Sequence, residues 1–153
     1  MASSDLLPTG YVLVEGYPSV EDYLHVRTTS GLRPKTAEQA SGSLQGSWYG
    51  VYVAEETVPT RAVAMGRIIG DGGWYFLVAD MATLPEHQRK GLGNAIMTNL
   101  LARVRSHAPK GTAYVVLGAD APGRKLYGKH GFRDTMPAEM GMSLRIEAPG
   151  PGQ

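Results

Sequence analysis

The chain has no cysteine among its 153 residues. This absence excludes disulfides, thiolate metal sites and a cysteine nucleophile. An excess of either charge is also missing, because 15 basic residues oppose 14 acidic ones. A net charge of +1 gives no global field to attract nucleic acid or an anionic membrane. No apolar run reaches the roughly 18 residues that a membrane span needs, so no membrane partner is expected.

The N-terminal stretch, residues 1–10, lacks a basic region and a long apolar run, so we expect no signal peptide and a cytoplasmic protein. A composition of 42% hydrophobic and 19% charged residues is typical of a globular protein. The length corresponds to about one domain. We therefore expect a single domain over residues 1–147, followed by a flexible C-terminal tail over residues 148–153 that lacks apolar anchors.

Hydrophobic periodicity and turn residues predict alternating strands and helices. The clearest helix carries Leu92, Ile96, Leu100 and Val104 every four residues, so one stripe faces a core. Strands are predicted over residues 11–15, 48–54, 62–69, 74–82, 113–117, 132–135 and 140–147. Helices are predicted after residue 19, over 36–41, from the glycine-rich run to before 109, and over 120–129. The order βααβββαβαββ indicates an α/β (α+β) fold.

Two of these strands carry stronger expectations. The nearly continuous apolar run over residues 113–117 predicts a strand buried on both faces. Clean alternation of Met140, Met142, Leu144 and Ile146 predicts the last strand.

The most informative segment is the run Gln88-Arg89-Lys90-Gly91-Leu92-Gly93-Asn94 at the start of the long helix. Glycines and two cations at a helix N-terminus suit an anionic phosphate group. The alternative is an ordinary helix start with a glycine turn. A Walker A loop is absent, and Ile96 occupies the position where a dinucleotide fingerprint needs a small residue.

A second motif follows the next strand: Leu126-Tyr127-Gly128-Lys129-His130-Gly131-Phe132. Gln-x-x-Gly-x-Gly, then Leu-Tyr-x-x-x-Gly-Phe about 34 residues later, resembles the GNAT superfamily of acyl-CoA-dependent N-acyltransferases. The preceding residues 80–86 resemble the strand that leads into the family's phosphate loop. The resemblance implies a central mixed, mostly antiparallel sheet of about 6–7 strands flanked by about four helices.

The resemblance also implies how coenzyme A, as acetyl-CoA, is held as co-substrate. Backbone N–H groups of the glycine-rich run would bind its pyrophosphate. A splayed strand over residues 81–84 would hydrogen-bond the pantetheine arm, and one of its N–H groups would polarise the thioester carbonyl. The implied contact residues are Met81, Ala82, Thr83, Gln88, Arg89, Lys90, Gly91, Leu92, Gly93, Asn94 and Asp120. The four histidines show no metal-ligand spacing, so no metal is expected.

Tyr127 is the implied catalytic acid, which protonates the leaving thiolate. Its alternative role is that of a packing residue. Asp80 lies where many members have an acidic or water-holding group, so it is the candidate base; it can equally be an ordinary strand charge. Glu86 and the histidines are weaker candidates. Asp120 departs from the family, because many members have Asn seven residues before the tyrosine. An aspartate can cap the following helix, but it cannot donate an amide hydrogen, and it adds negative charge near the thiolate.

The expected function is acetyl transfer from acetyl-CoA to a primary amine of a small molecule, by direct attack in a ternary complex. A protein or peptide amine, a non-catalytic acyl-CoA sensor and a purely structural role remain alternatives. The acceptor pocket is expected from residues 32–47, residues 48–52 and the strand at 74–76, with Arg33, Tyr49 and Trp74 as candidates. No nucleic-acid partner is expected, and the resemblance allows a homodimer.

Overall fold

The computed structural model describes residues 7–151 of the chain. The expectations for the first six residues and for the last two of the tail lie outside this range. The strands are β1 (Tyr11–Glu15), β2 (Tyr49–Glu55), β3 (Ala62–Gly70), β4 (Tyr75–Thr83) and β5 (Tyr114–Val116). The helices are α1 (Val20–Thr29), α2 (Ala37–Gln45), α3 (Leu92–His107) and α4 (Arg124–Lys129), with a 3₁₀ turn over Pro85–His87.

The five strands form one mixed sheet in the order β1-β2-β3-β4-β5. The first four are antiparallel neighbours, and β5 runs parallel to β4. A tight turn joins β3 to β4, where Asp71 accepts hydrogen bonds from three successive backbone N–H groups. A parallel pair needs a longer crossover, and α3 supplies it between β4 and β5. The predicted fold class is confirmed.

Helix starts follow their capping residues. The Ser19 hydroxyl accepts from the Asp22 N–H at the start of α1. Thr36 and Gln39 form a reciprocal capping box at α2, which runs four residues beyond the predicted end. Helix α3 begins after Gly91, whose φ of 83° lies in the left-handed region that glycine adopts without strain.

The core lies between the sheet and the apolar stripe of α3. Leu92, Ile96, Leu100 and Val104 are all buried, as the four-residue spacing predicts. Gly66 of β3 allows the helix to approach, because a Cβ there would lie 2.7 Å from Cγ2 of Ile96. The sheet and the long helix therefore hold each other in one arrangement, which fixes the position of the α3 N-terminus.

The C-terminal part differs from the sequence prediction. Residues 132–135 and 140–147 form no strand, so the described sheet has five strands rather than 6–7. The alternating apolar side chains of residues 140–146 are exposed, because no neighbouring strand covers them within residues 7–151. For the same reason β5 is not buried on both faces, and its Tyr114 is 38% exposed.

The predicted helix over residues 120–129 starts only at Arg124. The Ala-Pro-Gly sequence at 121–123 forms a turn instead, since glycine and proline favour turns over helix. Asp120 closes this turn by accepting from the Gly123 N–H at 3.1 Å, so it caps a turn rather than the helix itself.

Candidate active site

An opening between β4 and β5 dominates one end of the sheet. The two strands pair only at three positions, from Tyr75–Tyr114 to Leu77–Val116. Beyond Leu77, β4 continues to Thr83 with β3 as its strand neighbour on the other side. Residues 78–83 therefore present a strand edge without a strand partner in the described chain. Such an edge carries backbone groups that an extended ligand can hydrogen-bond.

The glycine-rich run forms a backbone concavity next to this edge. Arg89 has a φ of 61° and Gly91 a φ of 83°, so two residues of the loop adopt the left-handed conformation. The N–H groups of Leu92, Gly93 and Asn94 find no backbone acceptor among residues 7–151. Free N–H groups and the helix dipole attract an anion at this point. The geometry fits a phosphate-bearing ligand.

A hydrogen-bonded chain holds Lys90 beside this loop. Its Nζ donates to the Tyr11 hydroxyl at 3.2 Å and lies 5.7 Å from the ring centroid. The Tyr11 hydroxyl lies 2.7 Å from Nδ1 of His87, and His87 Nε2 lies 3.4 Å from Glu55. Arg89 is exposed and makes no such contact. Sequence reasoning missed Tyr11, since no local pattern connects β1 to residue 90.

Other contacts fix the ends of the loop. The Gln88 side chain donates to the Thr83 carbonyl at 3.1 Å and so ties the loop to the end of β4. At the helix start, Asn94 Oδ1 lies 2.8 Å from His130 Nε2, at the end of α4. Burial, together with the nearby Arg105 charge, lowers the pKa of His130. A neutral imidazole then links α4 to the α3 N-terminus at neutral pH.

Tyr127 of α4 is half-buried and packs edge-on against Phe132, with ring centroids 6.2 Å apart. It borders an open cavity of about 1130 Å³ between β5, α3 and α4. Burial raises the pKa of the Tyr127 phenol, and the Asp120 charge adds to this rise. The phenol therefore keeps its proton at neutral pH, as a proton donor must.

Asp80 lies at an irregularity in the β3–β4 pairing, with a φ of 56°. Its Oδ1 accepts from Arg27 Nη1 at 2.5 Å, and its Oδ2 accepts from Arg67 Nε at 2.6 Å. The Tyr23 hydroxyl also donates to Oδ2. These contacts join α1, β3 and β4 through largely buried side chains. The sequence indicated the acidic residue but gave no signal for its partners, which come from 13 to 57 residues away.

The structure does not bring the two predicted catalytic residues into one cavity. Tyr127 borders the large cavity, while Asp80 and Arg67 border a small pocket on the α1 side of β4. The other residues that line the small pocket are Tyr17, Pro18, Tyr23, Leu44, Met65 and Gly66.

The remaining acceptor candidates lie elsewhere. Tyr49 is buried, and its hydroxyl donates to Asn99 of α3 at 2.7 Å. Trp74 is 58% exposed at the β3–β4 turn. Arg33 contributes its backbone carbonyl, which accepts from Arg27 at 2.8 Å. None of these three side chains lines the small pocket. Glu86 and the other histidines lie outside it as well.

Two further findings concern the described residues. Residues 7–151 contain no group of three or more His, Asp or Glu side chains placed to hold a metal ion. Within the same range, no helix has the length and apolar character to cross a membrane.

Comparison with known proteins places this geometry in a family. A family model described as an acetyltransferase (GNAT) domain matches residues 47–134, more than half of the chain. A crystal structure from meticillin-resistant Staphylococcus aureus, of a protein of unknown function called a probable acetyltransferase, is 34% identical. It has a TM-score of 0.81, and the match covers 89% of this chain and 99% of that one.

More distant structures share the fold. A GNAT-family acetyltransferase from Streptococcus pneumoniae is 21% identical with a TM-score of 0.71, covering 90% of this chain and 98% of that one. A Trypanosoma brucei acetyltransferase is 19% identical with a TM-score of 0.67, and the match covers 89% of this chain and 99% of that one. No match was found among curated proteins. The family match and the staphylococcal relative together show that the chain belongs to the GNAT acetyltransferases and is an acyltransferase.

Proposed function

We propose that this protein transfers the acetyl group of acetyl-CoA to a primary amine of a small molecule in a ternary complex. The observation that carries the proposal is the unpaired edge of β4 next to the free N–H groups at the α3 N-terminus. An extended arm that ends in a pyrophosphate fits both features at once. The family generally uses acetyl-CoA as co-substrate, and its thioester supplies the activated acyl group.

The loop and strand residues would hold this co-substrate. We assign the pyrophosphate to the N–H groups of residues 89–94, with Lys90 adding positive charge from its position on Tyr11. The edge of Met81, Ala82 and Thr83 would bind the pantetheine arm as a missing strand. One of these N–H groups would stabilise negative charge on the thioester oxygen during attack. Asp120 is exposed and caps its own turn, so it is the weakest of the assigned contacts.

Tyr127 is the proposed proton donor. As the amine nitrogen bonds to the carbonyl carbon, the carbon–sulfur bond breaks, and Tyr127 gives its phenolic proton to the departing sulfur. The raised pKa of its phenol keeps that proton available across the neutral range. The proposal assigns Tyr127 to the co-substrate side of the reaction, and its position at the large cavity rather than at the small pocket supports this assignment.

Asp80 is proposed to receive the proton that the amine loses. Its Oδ2 already accepts from Arg67 and Tyr23, whereas its Oδ1 accepts only from Arg27. A carboxylate oxygen can accept two hydrogen bonds, so Oδ1 keeps one position for an amine or a bridging water. The proposal therefore has the amine approach from the α1 side of β4, opposite the proposed site of the leaving sulfur.

The separation of the two residues also supports a second candidate, a domain that senses acyl-CoA without turnover. In that case the loop and strand edge bind the ligand, and Tyr127 serves only to pack against Phe132. The two functions differ in a simple observable, because a sensor binds acetyl-CoA and releases no thiol.

The test is an amine panel incubated with acetyl-CoA, with released thiol as the readout. The chain contributes no background signal, since it has no cysteine. Small amines, polyamines, amino acids and peptides form the panel. Turnover of small amines with at least tenfold lower rates on peptides would support the proposal. Thermal stabilisation by acetyl-CoA without any thiol release would favour the sensor, and the absence of stabilisation would reject both.

We also propose a homodimer. Two described features support it: β5 pairs on one side only, and the apolar side chains at positions 140–146 are exposed. An unpaired edge and an alternating apolar segment are complementary between two copies of one chain. The elution volume of the full chain in size-exclusion chromatography should therefore correspond to two copies.

A further inference from the structure

The side-chain cluster around Asp80 holds more positive than negative charge. Arg27 and Arg67 both pair with Asp80, so two guanidinium groups share one carboxylate. The three side chains are only 9–12% exposed. No second acidic side chain pairs with either arginine within residues 7–151. The cluster therefore keeps one uncompensated positive charge in a largely buried place, an arrangement that costs stability unless an anion balances it.

One of the two arginines also has a terminal nitrogen without any acceptor among residues 7–151, although each guanidinium uses three of its five N–H groups. Arg27 uses Nε and Nη2 on the Arg33 carbonyl and Nη1 on Asp80. Arg67 uses Nε on Asp80 and Nη1 on Ser47 and on the Ser43 carbonyl. The Nη2 group of Arg67 has no acceptor in the described part of the chain. Arg67 lines the small pocket and Arg27 does not, so Arg67 Nη2 is the candidate donor for a group bound there.

The pocket itself has a volume of only about 10 Å³, so it has room for a single water-sized oxygen group of an acceptor. Tyr17 and Tyr23 give it two phenol groups, while Leu44 and Met65 make part of its wall apolar. The Tyr17 ring has room because Gly50 lies beneath it, where a Cβ would come within 2.2 Å of the ring. The Arg67 charge also reaches Tyr17, since it opposes the rise in the pKa of that phenol caused by burial.

We propose that the acceptor amine carries an anionic oxygen group, a carboxylate or a phosphate, which Arg67 Nη2 binds in this pocket. This inference rests on the proposed acetyl transfer to a small amine and specifies its substrate class. A charge-assisted hydrogen bond from a largely buried guanidinium discriminates strongly against a neutral analogue. Asp80 then has two functions, because it orients Arg67 and also faces the amine.

The experiment compares acceptors that differ only in the anionic group. Amino acids are paired with their carboxamides, and phosphoethanolamine is paired with ethanolamine. We measure kcat/KM for each with acetyl-CoA and the wild-type protein. The anionic member of at least one pair should be preferred about tenfold or more, since a charged hydrogen bond contributes about 1.5–3 kcal/mol. The carboxamide amines lose their protons more readily, so this bias works against the expected result.

Two variants separate the pocket charge from general charge effects. Arg67→Gln removes the pocket donor and should reduce the preference to about threefold or less, because the charged contact is lost. Arg61→Gln is the matched control: it removes an arginine that pairs with a buried aspartate, Asp22, at 2.8 Å, outside the pocket. The preference of the Arg61→Gln variant for anionic acceptors should equal that of the wild type. Melting curves with and without acetyl-CoA verify that each variant folds, and the neutral Arg67→Met replaces Arg67→Gln if the latter does not.

The outcomes are distinguishable. Equal kcat/KM for the neutral and the anionic acceptor of every pair overturns the inference and leaves the proposed function standing. A preference that survives loss of Arg67 overturns the assignment of the binding group. The absence of turnover on every amine, with acetyl-CoA still stabilising the protein, rejects the small-amine function and the inference together. Preference within the carboxylate pairs alone, or within the phosphate pair alone, identifies which anion the pocket takes.

Discussion

The chemistry of each candidate site residue depends on the groups that contact it. Asp80 was predicted as a candidate base or an ordinary strand charge, and its carboxylate accepts from two arginines and a tyrosine. Tyr127 was predicted as a proton donor, and its half-buried place in α4 raises its pKa. The family resemblance singled out both side chains. The groups around Tyr127, namely Phe132 and Asp120, lie within seven residues of it, whereas the partners of Asp80 come from distant parts of the chain. Local patterns cannot predict such partners, because tertiary packing brings them together.

Tyr127→Phe tests the donor directly. The phenyl ring keeps the packing against Phe132, so folding and acetyl-CoA binding should persist. Loss of the proton donor should lower kcat about 10²-fold or more. The initial rate of thiol release at saturating substrates gives kcat, and the rise in melting temperature on adding acetyl-CoA reports its binding. An unchanged kcat would show that the phenol only packs.

Gly91→Ala tests the backbone of the phosphate loop. Gly91 has a φ of 83°, and no atom lies within 4 Å of the place that an alanine Cβ would take, so the cost is conformational rather than steric. We expect a destabilisation of about 1 kcal/mol or more and weaker acetyl-CoA binding, because the loop N–H groups shift. Chemical denaturation measures the first and thermal shift the second.

Gly42→Ala is the control for this substitution. Gly42 lies within α2 with no atom within 4 Å of a Cβ and with ordinary helical backbone. Alanine should stabilise the helix by about 0.5–1 kcal/mol and leave acetyl-CoA binding unchanged. Equal effects of the two substitutions would mean that the left-handed conformation at Gly91 has no special role.

At the scale of elements, periodicity and capping predicted most of the fold. The α3 stripe and the three antiparallel strands before it appear within one residue of the expected bounds, because each buries a regular apolar face. The prediction of two C-terminal strands was wrong, because alternating apolar residues form a strand only when a neighbouring strand pairs with them. The opening between β4 and β5 was predicted only from the family resemblance, because no local residue pattern encodes where two strands separate.

The β3–β4 turn gives a prediction that depends on pH. Asp71 accepts from the N–H groups of Gly73, Trp74 and Tyr75, and these hydrogen bonds lower its pKa from the usual 3.8. A lowered pKa in the folded state stabilises the protein above 3.8, and this contribution is lost as the pH falls below that value. Asp71→Ala should therefore lower the melting temperature at neutral pH, and the difference should shrink in acid. A constant difference across that range would contradict the role of the ionised carboxylate.

At the scale of the whole molecule, the folded body and the C-terminal segment contrast sharply. One buried cluster joins α1, α2, α3 and the sheet. Residues 140–150 are exposed throughout and add nothing to that cluster. The sequence suggested a continuous domain to residue 147, because its apolar content does not reveal whether a partner covers it.

A variant that ends at Glu139 tests both the segment and the homodimer. It keeps the turn in which the Glu139 N–H donates to the Thr135 carbonyl at 2.9 Å. We expect the full chain to elute as a dimer and the shortened chain as a monomer. In dilute solution the unfolding free energies should agree within about 0.5 kcal/mol, because the removed residues are exposed. A shortened chain that still dimerises, or that no longer folds, would contradict this expectation.

The exposed thioethers of Met140 and Met142 have a chemical consequence. In a chain without cysteine, methionine sulfur is the principal target of peroxide, and accessibility determines which sulfur reacts first. Met65 and Met97 lie in the core at 2% exposure or less, whereas Met140 and Met142 are 71% and 98% exposed. Mild oxidation would thus convert the C-terminal segment to polar sulfoxides while the core remains reduced, and a methionine sulfoxide reductase could reverse the change without unfolding the protein.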